Sequence, residues 1–157
     1  MNDALAPAKA VLIERTIAAP AERLYRAWLE PEIIKQWMEP GSFSVSRAEV
    51  EPVVGGKYRI WHAIDGDDHG GFESEIRELV PNEKIVFAWG FVGPDRDGPV
   101  YDSELTVTFE ENQQGETRLT LTHERLDALR AAMPEGAANV GIGWEMVLDK
   151  LQALATQ

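Results

Sequence analysis

Six short segments of alternating apolar and polar residues follow one another through the middle of the chain. They lie at about 43–50, 57–64, 70–79, 84–92, 102–111 and 117–124. A period of two places alternate side chains on opposite faces of a strand. Gly55-Gly56, Asp65-Gly66, Pro81-Asn82 and Gln114-Gly115 mark turns between most of them. A strand from Lys9 to Ile17 precedes this run. It ends at Ala18-Ala19-Pro20 and is followed by two short helical segments, Ala21–Trp28 and Glu32–Met38, separated by Pro31. After a long connection with a helical turn at Asp127–Met133 comes one helix, expected over Ala137–Ala155. Val140, Trp144, Val147, Leu148, Leu151 and Leu154 form its apolar stripe. One face of a single antiparallel sheet must be covered by that helix, because no other segment is long enough. The fold class is therefore α+β.

The stretch RIWHAIDGDDHGGF, Arg59 to Phe72, gathers two histidines and three aspartates and raises the question of a metal or acid–base site. Strand register answers it. Tyr58, Ile60, His62 and Ile64 share one face, and Phe72, Ser74 and Ile76 another. Bringing both apolar sets together requires a turn with an odd number of residues, Asp65-Gly66-Asp67, and sets Ile60 opposite Phe72. Arg59 then faces Glu73 and Lys57 faces Glu75, two opposite-charge cross-strand pairs. In this register His62 points to the core and His69 to the outer side or the turn, so the two share no metal. Asp65, Asp67 and Asp68 belong to the turn. A calcium loop fails as well, since its twelfth position is Ile76 rather than Glu. No metal site is expected; Glu78 is the one acidic residue placed on the inner face.

The same arithmetic pairs Ile76 with Phe87 and Ser74 with Trp89 across a four-residue loop, Val80–Glu83. It pairs Phe109 with Leu119, Val107 with Leu121 and Leu105 with His123 in the following hairpin. The inner face thus carries Ile60, His62, Phe72, Ser74, Phe87, Trp89, Leu105, Leu121 and His123. Mostly apolar with a few polar groups, it has the composition of a small-molecule pocket and equally that of a core with satisfied histidines.

The chain has 157 residues and a formal charge of −12, with no cysteine. Disulfides, thiolate metal sites and cysteine nucleophiles are excluded. The acidic surface repels phosphate backbones, so no nucleic-acid partner is expected. No window approaches the roughly 20 apolar residues of a membrane span. The opening MNDALAPAKA lacks a signal-peptide pattern. A cytoplasmic protein of a single domain, residues 1–157 with an ordered core at about 9–155, is the expectation. Open sheet edges leave room for a homodimer.

Several stretches together resemble the SRPBCC superfamily, the helix-grip fold of START and Bet v-type domains. The resemblance is to its activator of heat-shock protein 90 ATPase C-terminal-domain family. They are IERTIAAPAERLYRAWLEPEIIKQWMEP, VEPVVGGKYRIW, GGFESEIRELVPNEKIVFAW, TVTFEENQQGETRLTLTH and GIGWEMVLDKL, in that order from about residue 10 to 155. The resemblance implies a seven-stranded antiparallel sheet curved around the long C-terminal helix, with two short helices after the first strand. It also implies a cavity between sheet and helix, which the superfamily uses for apolar molecules. Gly costs about 1 kcal/mol inside a helix relative to Ala. Gly141 and Gly143 accordingly read as positions of close backbone approach near the helix start, with Trp144 lining the cavity or filling core.

Three functions are consistent with this reading. The first is a binding protein for an apolar or amphipathic small molecule, held by Ile60, His62, Phe72, Ser74, Phe87, Trp89, Leu105, His123 and Trp144 without a cofactor. The second is a cavity enzyme of cyclase or hydrolase type using a pocket histidine as acid or base. No nucleophile with a paired base can be placed for it. The third is a chaperone-associated module, which rests on analogy of fold alone.

Overall fold

A computed structural model describes residues 10–157. β1 (Val11–Ile17) leads into helices α1 (Ala21–Leu29) and α2 (Pro31–Trp37). Six strands follow: β2 (Ser44–Val50), β3 (Lys57–Ile64), β4 (Asp67–Val80), β5 (Lys84–Val92), β6 (Val100–Glu111) and β7 (Thr117–Glu124). Helices α3 (Asp127–Ala132), α4 (Pro134–Ala138) and α5 (Val140–Ala155) close the described chain. All seven strands join one curved antiparallel sheet in the order β1-β7-β6-β5-β4-β3-β2. Lys9, expected at the start of the first strand, lies outside the described residues.

The alternation predicted from sequence is the alternation of burial. Along β7, Thr117, Leu119, Leu121 and His123 are buried and the residues between them are not. Ile60 lies opposite Phe72, Arg59 opposite Glu73, Lys57 opposite Glu75, Ile76 opposite Phe87 and Leu105 opposite His123, as expected.

The loops differ from expectation, and in both cases for the same reason. The β3–β4 turn is two residues, Asp65-Gly66, not three; Ile64 pairs with Asp67. Both turn residues have positive φ, 51° and 85°. That is the backbone twist which suits a tight hairpin. The even register at Ile60 and Phe72 survives because a bulge between Trp61 and Ala63 absorbs the odd residue. Gly70 makes the bulge feasible: its φ is 100°, and a Cβ there would stand 2.5 Å from the Val92 carbonyl oxygen. The β4–β5 loop is also one residue shorter than expected, three rather than four with Val80 paired to Lys84, and a bulge between Ile76 and Glu78 restores the count.

The expected single helix over 137–155 is divided at Asn139 into α4 and α5. Of the expected stripe, Val140, Trp144, Val147, Leu148 and Leu151 are buried, and Leu154 packs against the core partly buried.

α1 and α2 close one end of the core. Ala21, Leu24, Ala27 and Trp28 are buried on α1 and Ile34 and Trp37 on α2. Trp28 sits among other rings, 4.9 Å from Trp37, 5.7 Å from Trp144 and 6.1 Å from Phe87. The last carbonyls of a helix have no intrahelical donors. Here side chains supply them: Tyr58 Oη–H donates to the Trp28 carbonyl at 2.6 Å, and Trp37 Nε1–H to that of Ala27 at 3.0 Å. At the sheet edge, Arg15 of β1 reaches Glu145 and Asp149 of α5, each at 2.6 Å. Lys150 donates to the Glu39 carbonyl and ties α5 to the segment after α2.

Removing the Tyr58 hydroxyl leaves the buried Trp28 carbonyl without that donor. Tyr58→Phe should therefore lower the unfolding free energy by about 1–3 kcal/mol in urea titration. A loss near zero would mean that the bond does not hold α1 to the sheet.

Candidate functional site

Two features distinguish the space between sheet and α5. The first is a buried polar chain. His123 on β7 is fully buried. Its Nδ1 accepts from Trp144 Nε1–H on α5 at 2.9 Å. An indole nitrogen can only donate, so Nδ1 carries no proton. The imidazole proton of the neutral ring is then on Nε2, 2.7 Å from Ser103 Oγ on β6. Ser103 in turn donates to the Trp89 carbonyl on β5 at 2.8 Å. Every donor in the chain has an acceptor, and four elements are joined by it. Burial pushes the His123 pKa down to about 3. Protonation would also place an N–H at Nδ1 against the indole N–H. The Phe91 ring stacks on the imidazole at 5.5 Å and 10°.

The second feature is a cavity of about 180 Å³ beside that chain. Phe72, Trp89 and Phe91 form its sheet wall. Val140, Gly143, Trp144 and Val147 form its helix wall. Met38 and Pro40, after α2, and Gly136 and Asn139, at the α4–α5 junction, form the rim. No lining residue carries a charge. Trp89 lies 4.7 Å from Phe72 and 5.4 Å from Trp144, so three rings converge. A larger groove of about 700 Å³ runs between β1 and the α3–α5 segment, past exposed Leu12 and Ile142. It lies at the sheet edge rather than between the sheet and the buried face of α5. The inner cavity is the better candidate because aromatic side chains from both layers converge on it.

Of the nine residues expected to bind a ligand, Phe72, Trp89 and Trp144 line the inner cavity. Ile60, Phe87 and Leu105 are fully buried in the core without lining it. Ser74 is buried, and its Oγ accepts from the Gly90 N–H at 3.2 Å. His123 stands behind Trp144 and Phe91 in the polar chain. His62 Nε2–H donates to the Met38 carbonyl at 2.8 Å. Burial lowers its pKa, against the opposing effects of that carbonyl and of Glu39. His62 thus positions the rim residue Met38 and does not itself line the cavity. Phe91 shares the alternation of Phe87 and Trp89 and was within reach of the sequence pattern. The rim was not, since periodicity does not say which loop folds over which strand.

The histidines of RIWHAIDGDDHGGF are less separated than the register arithmetic implies. His69 is exposed, yet the Phe43 ring meets both His69, at 5.8 Å, and His62, at 6.1 Å. Asp68 pairs with Arg96, whose guanidinium lies 4.1 Å from the Trp61 ring centroid. Glu78, expected on the inner face, is half-exposed and pairs with Lys84, because the bulge beside it turns it outward. Among the described residues no group of three or more His, Cys, Asp or Glu side chains could hold a metal ion. No helix among them is long and apolar enough to cross a membrane.

Comparison with known proteins agrees with this architecture. The model of the family described as activator of Hsp90 ATPase homolog 1-like protein matches residues 18–156. The chain belongs to this family. A solved protein from Chromobacterium violaceum is 30% identical, over 95% of this chain and 98% of its own, with a TM-score of 0.79. One from Nitrosomonas europaea is 21% identical over 97% of each chain, with a TM-score of 0.76. A protein from the dynemicin biosynthetic locus is 19% identical over 94% of this chain and 47% of its own, with a TM-score of 0.66. The last two likenesses show the fold alone. No curated protein matches the chain. The family and its neighbours share the SRPBCC-type fold, which commonly holds ligands in a cavity.

The low pKa of His123 has a definite sign in stability. Between its ordinary value of 6.5 and about 3, the unfolded chain binds a proton at this residue that the native state does not. Stability from this group is fully present above 6.5 and is lost as pH falls toward 3. From about pH 7 to about pH 5 the loss should be roughly 2 kcal/mol. Urea unfolding of the native protein and of His123→Gln at both pH values measures it. The native protein should lose more stability by that amount, and equal losses would show that His123 is not held neutral.

Proposed function

We propose that this protein binds an apolar or amphipathic small molecule in the cavity between the sheet and α5. The observation that carries this reading is the cavity of about 180 Å³, walled by Phe72, Trp89, Phe91 and Trp144 with no charged side chain. Convergent aromatic walls with few polar groups are the usual composition of a small-molecule site. The volume is of the order that takes a small ring compound, since an apolar cavity of about 150 Å³ admits benzene.

Binding is favoured over catalysis by the state of the histidines. A general base needs a free nitrogen within reach of the substrate proton, at a pKa near the working pH. Both nitrogens of His123 are engaged, and its pKa is far below neutrality. The Nε2 of His62 is bound to the Met38 carbonyl. His62 does not line the cavity, and a chemistry that used His123 would first have to break the bonds that hold Trp144 in the cavity wall.

The test is a thermal-shift panel of lipids and aromatic metabolites. A ligand that binds only the native state at about 100 times its Kd adds about 2.7 kcal/mol. For a chain of this size that is a rise in Tm of roughly 5–10 °C. Gly143→Leu supplies the control. A Cβ at Gly143 meets nothing within 4 Å, and Gly143 lines the cavity, so the variant folds with a narrowed site. Its own Tm should equal or exceed that of the native protein, because Gly is a poor helix former. The ligand-induced shift should disappear. A shift that persists in Gly143→Leu, or a panel without any hit, would contradict the reading.

A further inference from the structure

How a guest reaches the inner cavity follows from the way its rim is held, on the reading that this cavity is the binding site. The rim has two sides. Met38 and Pro40 form one, and Gly136 and Asn139 the other. The first side is pinned by side chains. His62 Nε2–H donates to the Met38 carbonyl, Lys150 donates to that of Glu39, and the Glu39 carboxylate accepts from the Val45 N–H at 2.9 Å. Met38 itself is buried. The second side is α4 and its junction with α5. Among the described residues, no side chain from 134 to 139 makes a hydrogen bond or an ion pair. Backbone bonds hold the segment locally, from Ala137 N–H to the Met133 carbonyl and from Asn139 N–H to those of Glu135 and Gly136. Ala137 is the one buried residue of α4. Gly136, in the middle of this short helix, weakens it further. Behind α4 lies the groove of about 700 Å³, which Pro134, Ala137 and Ala138 line. The segment thus separates two open spaces and has room to move into one of them.

We infer that α4 is the movable jaw of the cavity: guests enter and leave as it swings about Met133 and Asn139 into the groove, while the side formed by Met38 and Pro40 stays fixed. The hinge positions are the residues that interrupt the helices on either side of α4. Met133, with φ −140° and ψ 75°, separates α3 from α4, and Asn139 separates α4 from α5. Residues at the ends of elements are where such motions are absorbed. Few buried contacts and exposed backbone bonds are what low local stability consists of, so α4 opens at a small fraction of the free energy of global unfolding. Guests are therefore selected by the fixed aromatic walls, and their rates of exchange are set by α4.

The test needs no ligand. Val147 is buried on the helix wall of the cavity and the chain has no cysteine, so Val147→Cys places a single thiol inside. Its rate of reaction with dithiodipyridine, a neutral two-ring disulfide, reports opening. That rate should not change at low urea, as expected of a local opening. Ala137→Gly, outside the inner lining, should raise it at least about fivefold, and Gly136→Ala should lower it about fivefold. A Cβ at Gly136 would stand 3.6 Å from the Met133 Cβ, an ordinary contact. Ala153→Gly, at an exposed position of α5, should leave the rate unchanged. Hydrogen exchange of the unsubstituted protein keeps the inference testable should Val147→Cys fold poorly. The Ala137 and Asn139 amides should exchange through local opening, and the Met38 amide, bonded to the Ile34 carbonyl, only through opening that urea promotes. A labelling rate that rises with urea in step with global unfolding, or that ignores both α4 substitutions, overturns the jaw. So does equal protection of the Ala137 and Met38 amides. Each of these failures leaves the binding reading standing, which the thermal-shift panel tests separately.

Discussion

The hydrogen-bond chain from Trp144 through His123 and Ser103 to the Trp89 carbonyl fixes how the last helix sits on the sheet. Hydrophobic contact alone presses α5 onto the sheet but is not directional. The chain supplies direction. It joins α5 to β7, β6 and β5 through atoms that have no water to fall back on. Breaking any one link would leave a buried polar group unpaired, which costs more than the bond itself contributes. The placement of Trp144 follows from it, and with that ring the end of the cavity. The neighbouring contacts are of the same kind. Tyr58 and Trp37 hold the carbonyls at the end of α1, His62 holds that of Met38, and Lys150 holds that of Glu39. Polar side chains are used throughout to clamp backbone carbonyls around an apolar interior.

That economy bears on function. The residues with most apparent chemistry, His62 and His123, are committed to structure. The cavity lining is left to aromatic rings and to the small residues beside them. Gly136 and Gly143 contribute no side chain where α4 and α5 face the sheet, and Phe72, Trp89 and Phe91 face them without filling the gap. The feature open to a guest is thus incomplete packing between two well-braced layers rather than a reactive group.

Much of this was legible in the sequence, for a definite reason. An antiparallel strand with one face buried has a strict period of two, so Ile60 against Phe72 and Leu105 against His123 could be paired by arithmetic. Two things escaped that arithmetic. Bulges beside His62 and Glu78 each absorb one residue, so each turn is one residue shorter than alternation alone implies while the pairs beyond the bulge keep the expected register. The division of the last helix at Asn139 leaves the apolar stripe intact, and the stripe does not register it. The cavity was harder still. Alternation says that Phe72, Ile60 and Phe87 point inward, but not that Phe72 meets open space while the other two meet neighbours. That depends on the loop at Met38 and Pro40 and on Gly143, which lie far from those strands in sequence. His123 was legible as an inward histidine, but its two partners come from other elements.

On the proposed function, the sheet and α5 enclose a space that accepts an apolar guest. Diffraction from a crystal pressurised with xenon tests it most directly, because xenon binds apolar cavities without requiring any specific chemistry. A xenon peak should appear bounded by Phe72, Phe91, Trp144 and Val147, with the Trp144–His123 bond intact. A map with no xenon there, and with Val147 packed against Phe72 and Trp89, would contradict it.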